Sequence, residues 1–151
     1  MKIKKIAHVA LAVSDMDQTL GKLKQVLGID PMSHGFVPSQ HVDAALLPIG
    51  ETCIEVVSPK GNEGVQRFVD KRGAALHHVA LEVEGLDEAL ATLRAAGVAL
   101  IDQEPRLGAH GFRVAFIHPK ATGGLLIELV EPTGAPMSGP GDPQGGPIGT
   151  F

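Results

Sequence analysis

"LHHVAL" at residues 76–81 ends in the same four residues as "IAHVAL" at residues 6–11. The likeness runs on from there, and it decides the fold. "IAHVALAVSDMDQTLGKLKQVLGID" lies over "LHHVALEVEGLDEALATLRAAGVAL", with His8 over His78, Asp17 over Asp87, Leu20 over Leu90 and Leu23 over Leu93. The chain is an internal duplication, and each copy is one supersecondary unit.

Each copy opens with apolar residues at alternating positions, the pattern of a strand. It continues with a helical spacing, as in Leu86, Ala89, Leu90 and Leu93. Asp17 and Asp87 fall where a first-turn carboxylate favours the helix dipole. Gly28 and Gly97 fall where the helices stop. Further strand-like runs follow: "HVDAALLPIG" and "TCIEVVSP" in the first copy, "FRVAFIHP" and "GLLIELVEP" in the second. The pattern predicts an α+β fold of two paired β-α-β-β-β modules in one domain over residues 1–132. Module one covers 1–58, module two covers 76–132, and residues 59–75 are a link that contains the helical-looking "EGVQRFVDKRG". The tail, 133–151, is rich in Gly and Pro and poor in apolar side chains, so it is expected to be disordered.

Successive strand side chains point to opposite faces. In the first strand His8, Ala10 and Ala12 share one face, opposite Val9, Leu11 and Val13. In its repeat His78, Ala80 and Glu82 share a face, and His77 is expected on the other one with Val79, Leu81 and Val83. The bulky faces suit helices. The histidine faces, lined with alanine, leave room for something that is not protein. Glu55 stands between Ile54 and Val56, and Glu128 between Ile127 and Leu129, at matching places in the two copies. A carboxylate in mid-strand is costly to bury unless it is paired or bound to metal. One His and one Glu from each module should therefore meet where the modules face each other. That donor set suits borderline divalent metals. His34, His41, His110 and His118 are assigned to surface or pocket rim.

The bulk properties exclude several classes. A chain of 151 residues is long enough to bury roughly two thirds of its unfolded surface without disulfides. Its single cysteine, Cys53, suits a reducing compartment, and "MKIKKIAHVA" is too short an apolar run for a signal peptide, so a cytoplasmic protein is expected. No run approaches the roughly 20 apolar residues of a membrane span. A formal charge of −4, with no Trp or Tyr and five Phe, argues against nucleic acid as partner.

With these residues in view, the chain resembles the vicinal oxygen chelate superfamily, and within it the methylmalonyl-CoA epimerase family. The resemblance runs over residues 6–132. Its most specific parts are the "IDQEPRLGAHG" loop and the "HPKATGG" turn before the "IEL" strand. It implies a homodimer that holds a divalent metal through His8, Glu55, His78 and Glu128, cobalt first among Co, Zn, Ni, Mn and Mg. The implied activity is interconversion of (R)- and (S)-methylmalonyl-CoA by removal of the proton α to the thioester, through a metal-stabilised enolate. Glu128 and Glu55, from modules related by an approximate twofold, would then serve as acid and base on opposite sides. Some members have Gln at the place of Glu55 and a separate acid on the third strand, a place that falls here on Asp43 or Ala44. Arg106, Arg113 and Lys120 are candidates for holding CoA.

The family leaves rivals. Glyoxalase I shares the fold and a similar ligand set, but the "HPKATGG" turn favours the epimerase. Extradiol dioxygenases commonly add a catalytic Tyr, which this chain lacks. Sequestering proteins of the same fold generally lack the four ligands. A substituted malonyl thioester other than methylmalonyl-CoA would use the same chemistry.

Overall fold

The computed structural model describes residues 1–108 and 111–134. His110, and the tail from residue 135 on, lie outside the described residues, as do the expectations made for them. Among the described residues eight strands and three α-helices follow in the order β1 (Lys2–Ala12), α1 (Met16–Leu27), β2 (Ser33–Val37), β3 (Val42–Ile49), β4 (Thr52–Pro59), α2 (Glu63–Arg72), β5 (Ala75–Glu84), α3 (Leu86–Ala95), β6 (Arg106–Leu107), β7 (Phe112–Ile117) and β8 (Ile127–Pro132). The second strand of each unit, β2 and β6, carries no apolar run that would announce it. No helix among the described residues is long and apolar enough to cross a membrane.

Local chemistry sets the helix ends. The Asp15 carboxylate accepts the Gln18 N–H at 2.9 Å and starts α1, and Gly28, in the left-handed region at φ 68°, ends it. α3 has no capping side chain of its own. Glu131 on β8 fills that role from a distance, accepting the N–H groups of Gly85 and Leu86 at 2.8 and 3.2 Å.

The strands form one curled sheet in the order β2-β3-β4-β1-β5-β8-β7-β6. β1 runs parallel to β4, β5 runs parallel to β8, and β1 and β5 meet antiparallel at the centre. The two halves are thus related by a twofold through that central pair. On the convex face α1 covers Val13, Ala45, Leu47 and Val56, while α3 covers Val83, Ala115, Ile117 and Leu129. The other face is concave. One end of it is filled by Ala7, Leu46, Cys53, Ala80, Phe112, Val114 and Val130. Towards the other end Val65 and Val69 of α2 pack on Ala12, Val42, Ala44 and Val57. The functional side chains lie between.

The central pair is not regular. Its register shifts between Ile3 and Lys5, between Ile6 and His8, and between Ala10 and Leu11. At the last of these, Ala10 lies opposite His78 and Leu11 opposite Leu76, so His77 is an extra residue with no partner on β1. Such a bulge re-aims a side chain.

Candidate active site

Strand register brings four side chains of the concave face to one point. Ala10 on β1 lies beside Glu55 on β4 and beside His78 on β5, and Ala80 on β5 lies beside Glu128 on β8. His8 Nε2 is 3.1 Å from His78 Nε2, 3.5 Å from Glu55 Oε2 and 3.3 Å from Glu128 Oε2. His78 Nε2 is 3.9 Å from Glu55 Oε2 and 3.4 Å from Glu128 Oε2. Glu55, His78 and Glu128 are buried, and His8 is nearly so.

The four residues read from the repeat therefore do converge. Two imidazole nitrogens at 3.1 Å need a proton or a cation between them, because two lone pairs repel. Metal–ligand bonds of about 2.0–2.2 Å place donors around one ion roughly 3–4 Å apart. The separations found, 3.1 to 3.9 Å, are of that size. Donor atoms of His8, Glu55 and His78 all lie within 4.8 Å of one another. By spacing, burial and donor type, His8, Glu55 and His78 could hold a divalent metal, and Glu128 Oε2 lies 3.3 and 3.4 Å from the two imidazoles.

Electrostatics agree with the geometry. Burial opposes the charging of His8, but Glu55 and Glu128 outweigh it and raise its pKa. Burial likewise opposes an ionised Glu128, yet hydrogen bonds from His78 and His8 hold its carboxyl well below the usual carboxylate range. Glu128 is thus a carboxylate at neutral pH.

The cluster opens on a cavity of about 460 Å³ lined by, among others, His41, Asn62, His77, Ile101, Arg106 and Phe116. Phe116 stands edge-on to His78, with ring centroids 5.3 Å apart. His41 sits on the wall with a left-handed backbone, φ 51°. Its carbonyl accepts the N–H groups of Lys60 and Asn62 at 2.9 and 3.1 Å, which ties the β2–β3 turn to the start of α2.

His77 corrects the alternation argument. Expected on the convex face, it lines the cavity instead, with its Nδ1 2.9 Å from Nδ1 of His78. The bulge is the reason, since an unpaired residue need not follow the alternation. Burial, and then the neighbouring His78, push its pKa down to about 4.

Register also settles the choice between Asp43 and Ala44. Ala44 pairs with Val57 and Leu46 with Glu55, so the concave position on β3 belongs to Ala44. Asp43 points the other way, 3.5 Å from His34 Nε2. No acid of β3 faces the cavity. Arg113 is displaced by the same rule: it shares a face of β7 with Ala115 and Ile117, and its guanidinium is held by Asp87 at 2.7 Å and Glu131 at 3.2 Å. Arg106 does line the cavity, with its Cζ 5.4 Å from the centre of the Phe116 ring. Lys120 is exposed on a 3-10 turn, Pro119–Ala121, after β7, and His118 caps that turn by accepting the Lys120 N–H. The alternation of "FRVAFI" would have revealed Phe116 as a cavity residue, since it shares its face with Phe112 and Val114.

A concave sheet built from two half-sites, with its donors at the seam, defines a class. The chain belongs to the Glyoxalase/Bleomycin resistance protein/Dioxygenase superfamily, which matches it over residues 7–116. Within that class its relatives include proteins named methylmalonyl-CoA epimerase. The chain is 33% identical over 130 residues to the ethylmalonyl-CoA/methylmalonyl-CoA epimerase of Cereibacter sphaeroides, across 84% of this chain and 97% of that one. The crystal structure of methylmalonyl-CoA epimerase from Mycobacterium tuberculosis matches with a TM-score of 0.81 at 34% identity, covering 89% of this chain and 90% of the other. A methylmalonyl-CoA epimerase in complex with methylmalonyl-CoA and NH4+ matches with a TM-score of 0.82 at 28% identity, covering 88% and 97%.

Proposed function

We propose that the protein is an isomerase that interconverts (R)- and (S)-methylmalonyl-CoA, with a divalent cation held by His8, Glu55, His78 and Glu128. The observation that carries this reading is the convergence of those four side chains beside a cavity, in a chain whose relatives include an ethylmalonyl-CoA/methylmalonyl-CoA epimerase.

A divalent cation held by His8, Glu55, His78 and Glu128 would supply Lewis acidity that makes the α-proton of the thioester more acidic. That help is needed, because a carboxylate held as low as Glu128 is a weak base. Glu128 accepts the α-proton at a carboxylate oxygen on one face of the substrate. Glu55, from the other half of the sheet, takes up a proton from solvent and delivers it on the opposite face, while Glu128 releases its own to solvent. Phe116, Val57 and Val65 line the path and keep water from the reacting carbon.

The decisive experiment follows α-proton exchange. In deuterated water the protein should exchange the α-proton of methylmalonyl-CoA from both epimers, with ethylmalonyl-CoA as a parallel substrate. It should be inactive on the hemithioacetal of methylglyoxal and glutathione. Glyoxalase activity without exchange would overturn the reading.

The CoA contacts proposed from the sequence now separate. Arg106 faces the cavity, Lys120 is exposed on its turn and does not line the cavity, and Arg113 is engaged on the convex side. Arg106→Ala is expected to raise KM for the CoA substrate on the order of tenfold, a charge-assisted contact's worth. The effect should be largest at low salt, where phosphate contacts are least screened. Arg113→Ala should leave KM unchanged. Steady-state kinetics at two ionic strengths check both.

A homodimer is part of the same reading. Ile3, Ile6 and Leu76 stand exposed on the convex side of the central strands, a surface that a second copy would cover. The lone buried thiol of Cys53 supports a reducing, cytoplasmic location.

A further inference from the structure

The mechanism leaves His77, a half-buried cavity residue, without a role. His77 is not among the four donors, yet the bulge in β5 turns it into the site, and two further contacts hold its ring there. Its Nδ1 is 2.9 Å from Nδ1 of His78. On its other side Phe68 of α2 packs edge-to-face at 4.8 Å, itself covered by the guanidinium of Arg72 at 5.1 Å. A residue that broke the strand only to fill space would not need a nitrogen aimed at its neighbour.

The chemistry of that contact is directional. His78 turns Nε2 to the donor cluster, 3.1 Å from His8 and 3.4 Å from Glu128. An imidazole that ligates through Nε2 carries its proton on Nδ1, and a ligating histidine generally donates that N–H to an acceptor that fixes tautomer and ring orientation. For His78 the only acceptor of that hydrogen among the described contacts is Nδ1 of His77. Two Nδ1 atoms at hydrogen-bond distance admit one proton between them, so His77 must hold its own proton on Nε2.

We propose that His77 is a positioning residue: it accepts the Nδ1–H of His78 and thereby selects the tautomer that presents the Nε2 lone pair to the cation. This rests on the metal reading given above. It assigns the bulge a purpose, because alternation alone would put the acceptor on the wrong side of the sheet. It also links α2 to the site, through Phe68 and the His77 ring.

Zn(II) alone, titrated into the full chain against a chelating dye, reads the effect. His77→Phe keeps ring and volume but offers no acceptor, and should weaken Zn(II) binding between about tenfold and a hundredfold, the range for loss of an outer partner of a metal ligand. His77→Asn places Oδ1 where Nδ1 stands and should restore most of the affinity. A purely structural role would predict the reverse order, with Phe the milder change. The unsubstituted protein gives a second readout. In the 15N-labelled, Zn(II)-loaded chain, His78 should be protonated at Nδ1, with a scalar coupling across the hydrogen bond to Nδ1 of His77. The proposal is overturned if His77→Phe binds Zn(II) like the unsubstituted chain. It is equally overturned if the coupling is absent. If the unsubstituted chain takes up no divalent metal, the metal reading falls together with this proposal. Undiminished binding by His77→Phe removes the proposal alone.

Discussion

His8→Ala and His78→Ala are each expected to lose the metal, by more than the tenfold to hundredfold that loss of an outer partner costs. Each removes one of two nitrogen donors that stand 3.1 Å apart, and leaves a single imidazole beside buried Glu55 and Glu128. Metal analysis of the purified variants checks this, and stoichiometric metal in both would refute the four-residue site. Proton competition gives the pH dependence its sign. Because Glu55 and Glu128 raise the pKa of His8, its proton competes with metal already at a pH above the ordinary histidine value. Apparent affinity in the unsubstituted chain should fall as pH drops through that raised value, and binding in that range should release protons. In His8→Ala the residual affinity should depend less on pH.

The second large effect belongs to Glu128. Glu128→Gln keeps the shape and one ligating oxygen, but an amide cannot accept the α-proton as a carboxylate does. Turnover should fall on the order of a hundredfold or more, within the usual range for acid–base groups, while part of the metal is retained. Single-turnover exchange into deuterated water, started from each epimer separately, assigns the face. Exchange lost from one epimer marks Glu128 as base on that side and leaves Glu55 for the other. Register supports this pairing of roles, since the alternative acid on β3 does not exist: Ala44 occupies the concave position and Asp43 faces away. Near-normal exchange from both epimers in metal-loaded Glu128→Gln would show the assignment to be wrong.

What could be read from the sequence was what repeats or alternates. The duplication gives the two units, and period-two alternation gives His8, His78, Glu55 and Glu128 a common face. Alternation also carried the answer for Arg113, which shares a face with Ala115 and Ile117, had it been applied there. His77 was beyond reach for a physical reason. The bulge that turns it inward exists only in the pairing of β5 with β1, residues some seventy positions away, and nothing local in "LHHVAL" specifies it. The β3 position was undetermined in the same way, because a one-residue slip exchanges the two faces and only the pairing with β4 fixes it. Glu131 is a third case. No local motif in the sequence at Gly85 shows that the cap of α3 comes from a strand more than forty residues later.

The central antiparallel pair divides the donors equally, with His8 and Glu55 on one side and His78 and Glu128 on the other. Neither half owns a complete site. An ion seated there is consequently a clasp across the seam, and it binds the closed sheet but not halves that have come apart. By mass action such a ligand holds the folded form by about 2.7 kcal/mol at a hundred times its dissociation constant. Chelation would then remove one tie across the line between β1 and β5, leaving their strand pairing and the shared cluster of Ala7, Leu46, Cys53, Ala80, Phe112, Val114 and Val130 to hold the halves together. If the cluster holds a cation, the tightness of the midline would follow how much free metal the surroundings contain.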